Sequence, residues 1–138
     1  MTAQEFLKQI AAIQKRIAVN TRRVEQMQDL LLKISPTISD MPKSGANVHA
    51  LEERINLKVD LEKEIEDDKI RLNQVKLDVI DAIMQLDSDE GRKVLMYRYV
   101  DFKNWREIAD ATGYTDRHIF RVHQKALKEI EVPDQYLH

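Results

Sequence analysis

The stretch that decides the fold is Gly91–Ile130, which reads GRKVLMYRYVDFKNWREIADATGYTDRHIFRVHQKALKEI. Its apolar residues recur every three or four positions, as they do along amphipathic helices. Gly113 interrupts the pattern, and Thr115 follows two positions later. Glycine tolerates the left-handed conformation that ends many helices, and threonine is a favoured N-cap. The stretch therefore predicts three short helices, with a turn at Gly113 between the second and the third.

Capping signals also mark the first two of these helices. Asp87-Ser-Asp-Glu90 precedes the helix that holds Val94 and Leu95, and Asn104-Trp-Arg-Glu107 opens the next one. Ala109 supplies the small side chain that allows two helices to cross closely, and Trp105 is expected to anchor the core. These features predict a helix-turn-helix within a domain over residues 87–132, followed by a tail over 133–138.

The third helix, Thr115 to Glu131, is expected to have two different faces. Its buried stripe holds Ile119, Val122, Ala126, Leu127 and Ile130. Its outer face holds Asp116, Arg117, Phe120, Arg121, Gln124, Lys125 and Lys128. A helix with such a polar and basic face suits the major groove of B-DNA. The pattern favours recognition of double-stranded DNA, and the alternative is a solvated face on a protein-binding domain.

Two histidines on this helix are poor candidates for a metal site. His118 and His123 are five positions apart, and the chain has no cysteine. Both are expected to be imidazoles at the surface or in the groove. The sequence therefore predicts neither a metal nor a cofactor.

The N-terminal residues 1–86 predict an antiparallel helical hairpin. Thr2-Ala-Gln-Glu5 is a capping box. Apolar residues then follow at steps of three and four, as in a coiled-coil seam: Phe6, Ile10, Ile13, Ile17, Val24, Met27, Leu31 and Ile34. A second seam becomes regular over Leu61, Ile65, Leu72, Val75, Val79 and Leu86. The two seams predict two long helices that pack on each other.

Residues 35–47 are the predicted loop of this hairpin, because they contain two prolines, a glycine and several small polar residues. Ser35-Pro36 is expected to end the first helix, since a residue before proline avoids the α conformation. On the seams, Asn20 and Asp68 are expected at similar heights. They either form a polar layer that fixes register or turn to solvent. The acidic run Glu62 to Asp68 predicts a solvated helix face.

A second apolar stripe runs along the later part of the second helix, at Ile70, Leu77, Ile80 and Met84. A helix that is apolar on two sides needs two partners. The first is the other arm of the hairpin. The second is either the C-terminal domain or another copy of the chain, so a homodimer or higher homo-oligomer is expected.

The charge distribution differs between the two parts of the chain. Residues 91–130 carry nine Lys or Arg against five Asp or Glu, whereas residues 1–90 carry 13 against 17. A basic segment attached to an acidic one suits a DNA reader joined to another module. No apolar run approaches the roughly 20 residues that span a bilayer, and no signal peptide is evident. We therefore expect a cytoplasmic protein without a membrane partner.

The C-terminal stretch resembles region four of bacterial sigma factors, the domain that reads the −35 promoter element. The shared positions are Val94-Leu95, Arg98-Tyr99, Glu107-Ile108-Ala109, Gly113, Thr115, Ile119, Val122, Ala126-Leu127 and Ile130. The whole chain is similar to small proteins encoded by phages and prophages of Gram-positive bacteria. Those proteins place a helical hairpin before a sigma-like reader with the pattern Tyr-x-x-(Phe/Tyr)-Lys-x-Trp-x-x-Ile-Ala, found here from Tyr99 to Ala109.

The resemblance implies a phage-encoded transcriptional regulator in the cytoplasm of a bacterial host cell. Its base-contacting positions correspond to Asp116, Arg117 and Arg121, with Phe120 and Gln124 alongside. By their placement, the following residues are expected to contact phosphates: Arg106, Thr115, His118, Lys125 and Lys128. Sigma factors often have a basic residue at the position of Asp116 and a polar one at that of Phe120. The −35 consensus is therefore not expected as the target.

Two other functions fit the same architecture. A small terminase-like subunit for DNA packaging also joins a helix-turn-helix to an oligomerising helical region. A protein-interaction module would bind host RNA polymerase without reading DNA. No phosphate-binding loop, nucleophile with a base, or paired carboxylates in a pocket-forming context occurs in the sequence, so an enzyme is not expected. The hairpin has one aromatic residue, Phe6, too few for the promoter melting of a complete sigma factor.

Overall fold

The computed structural model describes residues 1–40 and 45–137, apart from the side chains of 35–40 and 45–47. Its regular elements are α1 (Ala3–Leu7), α2 (Gln9–Asp40), α3 (Gly45–Met84), α4 (Asp89–Leu95), a π-helical turn (Met96–Val100), α5 (Trp105–Thr112), α6 (Asp116–Glu129) and a 3-10 turn (Asp134–Tyr136). Every regular element in that part of the chain is helical, as predicted. None of its helices is both long and apolar enough to cross a membrane.

The N-terminal helix α1 begins where the sequence predicts. Thr2 Oγ1 accepts a hydrogen bond from the Glu5 backbone N–H at 3.1 Å, and the Glu5 carboxylate accepts one from the Thr2 N–H at 3.2 Å. Lys8 separates α1 from α2, but its backbone stays in the right-handed helical region. The capping box is therefore confirmed.

The predicted end of the first helix at Ser35-Pro36 is wrong, because α2 continues to Asp40. Proline lacks one backbone N–H and disfavours the helical conformation before it, but these costs reduce helix stability without forbidding continuation. The second helix begins at Gly45. The predicted 35–47 loop is thus helical over 35–40 and 45–47, and its residues 41–44 lie outside the described part.

The chain divides into two compact units. Unit 1 comprises Met1–Ile13 and Leu72–His138, and unit 2 comprises Gln14–Arg71. The start of the chain belongs to unit 1 because its apolar side chains pack there. Phe6, Leu7 and Ile10 are fully buried, and the rings of Phe6 and Tyr136 lie 4.9 Å apart.

The core of unit 1 holds the C-terminal helices together. Val94 of α4, Ile108 of α5, and Ile119 and Val122 of α6 form one buried cluster. Tyr97, Ala109 and Tyr114 pack against this cluster. The small side chain of Ala109 therefore lies against the core where α5 and α6 meet, as the sequence predicts.

Unit 2 contains a bidentate ion pair between its two helices. Arg16 Nε donates to Asp68 Oδ2 at 2.8 Å, and Arg16 Nη2 donates to Oδ1 at 2.7 Å. Asp68 is buried, whereas Asn20 is half-buried. The Asn20 side chain forms no hydrogen bond with the residues that the structure describes. A polar contact exists on the seam as predicted, but Arg16 supplies it. The arginine side chain is long enough to reach the other helix, and its planar guanidinium donates two parallel hydrogen bonds that match the two oxygens of a carboxylate.

A π-helical turn and a left-handed residue connect α4 to α5. The Asp101 N–H donates to the Met96 carbonyl at 3.0 Å, which closes the wider turn. Phe102 follows with φ of 57°, a conformation that residues with a Cβ seldom adopt. π-helical turns often lie at functional sites. Here the turn carries Arg98 and Tyr99, which contact residues of α5 and α6 described next.

Candidate nucleic-acid interface

The turn between α5 and α6 is built from local capping interactions. Asn104 and Glu107 form a capping box at the start of α5, with bonds of 2.8 and 3.1 Å. Gly113 ends α5 with φ of 74°, and its N–H donates to the Ala109 carbonyl. Thr115 Oγ1 accepts from the His118 N–H at 3.2 Å and caps α6. The predicted caps and the glycine turn are all confirmed.

α6 has the two faces that its sequence predicts. Ile119, Val122, Ala126 and Ile130 are buried, whereas Leu127 is half-buried. All five residues predicted to contact bases are exposed: Asp116, Arg117, Phe120, Arg121 and Gln124. Phe120 is 64% exposed, which is unusual for so large an apolar side chain. The outer face is thus open to a partner.

Most basic side chains near this face form no ion pair within the described part of the chain. In the described part of the chain, Arg106, Arg117, Arg121 and Lys128 form no ion pair within 4.0 Å, and Lys125 reaches Glu129 only at 3.9 Å. Arg106, Thr115, Lys125 and Lys128 are exposed. Their charge is therefore available to phosphates or carboxylates of a partner.

His118, which we predicted to contact phosphate, already has a partner inside the protein. Its Nε2 lies 3.1 Å from Glu90 Oε2, and its ring meets Tyr114 edge-on at 5.0 Å. The side chain is half-exposed. A phosphate would compete with the Glu90 carboxylate for this imidazole.

His123 is not at the surface, and the prediction of an exposed imidazole is wrong. It is 5% exposed, and its Nε2 lies 2.7 Å from the Tyr99 hydroxyl. Burial lowers the pKa of His123, and the positive charges of Arg98 and Lys8 lower it further. Burial likewise raises the pKa of Tyr99. His123 lies four positions after Ile119 and three before Ala126, both buried, and this helical spacing was the available signal. Its hydrogen-bond partner comes from another element.

Trp105 is not the buried anchor that the sequence predicts. It is 39% exposed, with its ring edge-on to His123 at 5.0 Å. The Arg98 guanidinium lies over the indole at 4.4 Å from the ring centre, a cation–π contact. Ile108 fills the core position instead. Trp105 thus belongs to the surface beside the outer face of α6.

A pocket of about 370 Å³ opens between α5 and α6 on this surface. Its lining comprises Trp105, Asp116, Ile119, Phe120, His123 and Gln124. Three of these residues were predicted to contact bases. The pocket is mainly apolar, so it can receive a methyl group or a ring edge of a partner. No group of side chains suited to a metal ion occurs in residues 1–40 and 45–137.

Comparison with known proteins gives one curated relative. It is an Enterococcus hirae protein with the provisional name autolysin regulatory protein ArpU, and the two sequences are 31% identical over 136 residues. The alignment covers 95% of this chain and 88% of the relative. No family model matches the chain, and no solved structure matches it. By the extent of this similarity, the chain belongs to the same family as the ArpU autolysin regulatory protein.

Proposed function

We propose that this protein is a regulator of transcription that binds specific double-stranded DNA. In this proposal α5 and α6 form a sigma-like helix-turn-helix, and α6 enters the major groove. Residues 1–86 form an antiparallel hairpin that supplies contacts to other proteins. The protein acts by binding, without catalysis, in the cytoplasm of a bacterial host. The name of the relative, a regulatory protein, agrees with a regulator but does not concern DNA.

One observation carries the proposal. The exposed face of α6 presents side chains suited to base edges, and these side chains form no ion pair with any residue that the structure describes. Arg117 and Arg121 suit the O6 and N7 acceptors of guanine, and Gln124 suits the N6 and N7 pair of adenine. Asp116 suits the N4 donor of cytosine, and Phe120 suits a thymine methyl. An aromatic ring exposed to water among arginines, as Phe120 is, favours a face that contacts a partner over one that is only solvated.

The neighbouring cations are suited to the DNA backbone. Arg106 lies on the first turn of α5, while Lys125 and Lys128 lie on the later turns of α6. Thr115, at the start of α6, adds a hydroxyl and leaves backbone N–H groups near the helix N-terminus, where phosphate binds favourably. Such contacts position the protein without specifying sequence.

The direct test is selection of bound fragments from random duplexes, followed by affinity measurements on the enriched sequence. Arg121→Ala should cost about 1–3 kcal/mol and relax the preference at one base pair, because it removes a base contact. Lys128→Ala should weaken binding to all sequences about equally and reduce the salt dependence.

Arg54→Ala is the matched control, since Arg54 is an exposed arginine of α3 outside α5 and α6. It removes the same charge and should leave DNA affinity unchanged. The proposal fails if no sequence is enriched, or if Arg54→Ala and Arg121→Ala weaken binding equally.

A second experiment separates a regulator from a complete sigma factor. Transcription is measured with core RNA polymerase and this protein as the only added factor. We expect no promoter-specific initiation, because the hairpin has one aromatic residue with which to stack on melted bases. Initiation at a defined site would show that the protein is itself a sigma factor.

A further inference from the structure

The outer face of the last turns of α3 carries apolar side chains that unit 1 leaves exposed. Leu77 is 59% exposed, Met84 is 55% exposed, and Ile80 between them is half-buried. The opposite face of the same helix packs into unit 1 through Val75, Val79, Ala82 and Ile83. We call Leu77, Ile80 and Met84 the α3 stripe. Three apolar residues at steps of three and four on one face are suited to another helix.

The stripe has the spacing of a coiled-coil seam. Leu77, Ile80 and Met84 occupy successive a, d and a positions of a heptad. In this heptad Lys76 is at the g position and Asp81 at the e position. The positive charge of Lys76 and the negative charge of Asp81 therefore lie on opposite sides of the stripe. Within residues 1–40 and 45–137, neither Lys76 nor Asp81 forms an ion pair, and Asp81 is exposed. Both charges are therefore available to a partner helix.

We propose that the α3 stripe joins two copies of this chain as a parallel, two-fold symmetric helix pair. In a parallel pair each g residue faces the e residue five positions later on the other helix. Lys76 of one copy then faces Asp81 of the second copy, twice across the interface. An antiparallel pair sets g against g and e against e, which gives no such attraction. The flanking charges thus select a second copy in parallel orientation.

The seam is short, so the expected affinity is modest. From Leu77 to Met84 it spans about 10 Å at 1.5 Å per residue. We expect a monomer–dimer equilibrium with a dissociation constant on the order of micromolar. A target that engages both copies raises the effective affinity, because the second contact becomes intramolecular.

The consequence for DNA rests on the proposed function. Leu77, Ile80, Met84 and the whole of α6 belong to unit 1. A two-fold pair through the stripe therefore relates two copies of α6 by the same symmetry. The preferred target is an inverted repeat of two half-sites, as for other symmetric readers of DNA.

Association of the full-length protein is tested first by sedimentation over a wide concentration range. We expect the parent protein to form dimers and Leu77→Asp to stay monomeric. Dimerisation of this variant would bury a carboxylate without a partner, which is unfavourable. Leu57→Asp is the matched control, since Leu57 is also on α3 and is 55% exposed. It should leave the dimer intact. A parent protein that stays monomeric throughout, or equal loss of dimer in both variants, overturns the proposal.

A charge exchange tests the orientation without placing a charge in the seam. Lys76→Glu alone sets two carboxylates against each other at each flanking contact, and Asp81→Lys alone sets two ammonium groups there. Each variant should therefore dimerise more weakly than the parent protein. A mixture of the two variants restores opposite charges at both contacts of a parallel pair. We expect mixed dimers to form at least tenfold more tightly than either variant with itself. An antiparallel pair would also gain on mixing, but each of its single variants would only exchange one like-charge contact for another and would dimerise about as well as the parent protein. Single variants that dimerise as tightly as the parent protein, or no gain on mixing, overturn the parallel arrangement.

Because the chain has no cysteine of its own, each introduced cysteine can form a disulfide only with its counterpart in a second copy. Leu77→Cys and Met84→Cys are prepared separately and oxidised. In a parallel pair each new cysteine meets its own counterpart, so both variants should form disulfide dimers. An antiparallel pair cannot align both positions, about 10 Å apart, with themselves, and a dimer from only one variant contradicts the proposal.

These outcomes are separable from the DNA-binding proposal. Leu77→Asp should still bind an isolated half-site like the parent protein, while losing its preference for the inverted repeat. A parent dimer that binds no duplex would refute only the DNA function. A protein that selects a single, unrepeated half-site as a monomer would refute only the self-association.

Discussion

The hydroxyl of Tyr99 and Nε2 of His123 lie 2.7 Å apart in the interior of unit 1, although the residues are 24 positions apart in sequence. The bond ties the π-helical turn to α6, beside the proposed DNA-reading face. Both groups are buried, and burial shifts the pKa of each towards its neutral form. The bond therefore joins two neutral groups, and protonation of His123 opposes the folded state.

We predict that stability falls as the pH drops below about 6.5 because of His123. Its pKa is lower in the folded state than the ordinary value of 6.5, so the unfolded chain binds the proton first. The contribution is fully present above about pH 6.5 and is lost as the pH falls towards the lowered value. Urea unfolding at several pH values measures this slope.

His123→Gln should flatten that pH dependence and cost about 1–3 kcal/mol at neutral pH, since the amide cannot titrate but fills the site less well. An unchanged slope in His123→Gln would assign the pH dependence to other groups.

The Arg16–Asp68 pair should respond asymmetrically to the loss of either member. Arg16→Met leaves a buried carboxylate with only Arg71 nearby, at 3.9 Å, and we expect a loss of about 2–3 kcal/mol. Asp68→Asn should cost only about 1 kcal/mol, because the half-exposed Arg16 can regain water. Lys58→Met, which breaks the exposed pair with Glu62, serves as the control. Equal costs measured by urea unfolding would contradict the asymmetry.

Glycine should be more stabilising than alanine at position 102, the reverse of the usual order. Phe102 has φ of 57°, where any Cβ is strained. Phe102→Ala and Phe102→Gly both lose the ring, so their difference isolates the backbone. We expect Phe102→Gly to be more stable by about 1 kcal/mol in thermal unfolding. Gly113→Ala should lose a similar amount, although beyond its own chain neighbours no atom lies within 4 Å of the new methyl group.

Tyr136 should ionise late in an alkaline titration followed by ultraviolet absorbance. Burial, reinforced by the hydrogen bond to Asp78 at 2.6 Å, raises its pKa to about 12. The stability that this shift provides is present below about pH 10 and lost as the pH rises towards 12. Tyr136→Phe should remove one late-titrating tyrosine. Asp78→Asn should lower its pKa while burial holds it above 10. An unaltered titration curve in Tyr136→Phe would contradict the assignment.

The parts of the fold that the sequence predicts correctly are those determined by interactions between residues close in sequence. The caps at Thr2, Asn104 and Thr115 and the turn at Gly113 each depend on residues within about four positions. The outward face of α6 follows equally from its 3.6-residue period.

The features that sequence missed depend on distant partners. Arg16 meets Asp68 from 52 positions away, and periodicity alone cannot choose between Arg16 and Asn20 as the neighbour. His123 is polar by type, and its burial becomes favourable only when Tyr99 satisfies its ring nitrogen. Trp105 is displaced to the surface because Ile108 already fills the core. Each case is decided by tertiary packing, which no local pattern specifies.

The contact between Phe6 and Tyr136 has a consequence for how the chain is made. Unit 1 is discontinuous: its first segment, Met1–Ile13, is synthesised before all of unit 2, and its second segment, Leu72–His138, afterwards. The apolar side chains of the first segment therefore remain partly uncovered on the ribosome until α6 and the 3-10 turn at Asp134–Tyr136 emerge. Closing so long a loop is slow compared with forming local helices. A nascent chain can thus complete its helices early and acquire the buried Phe6 last.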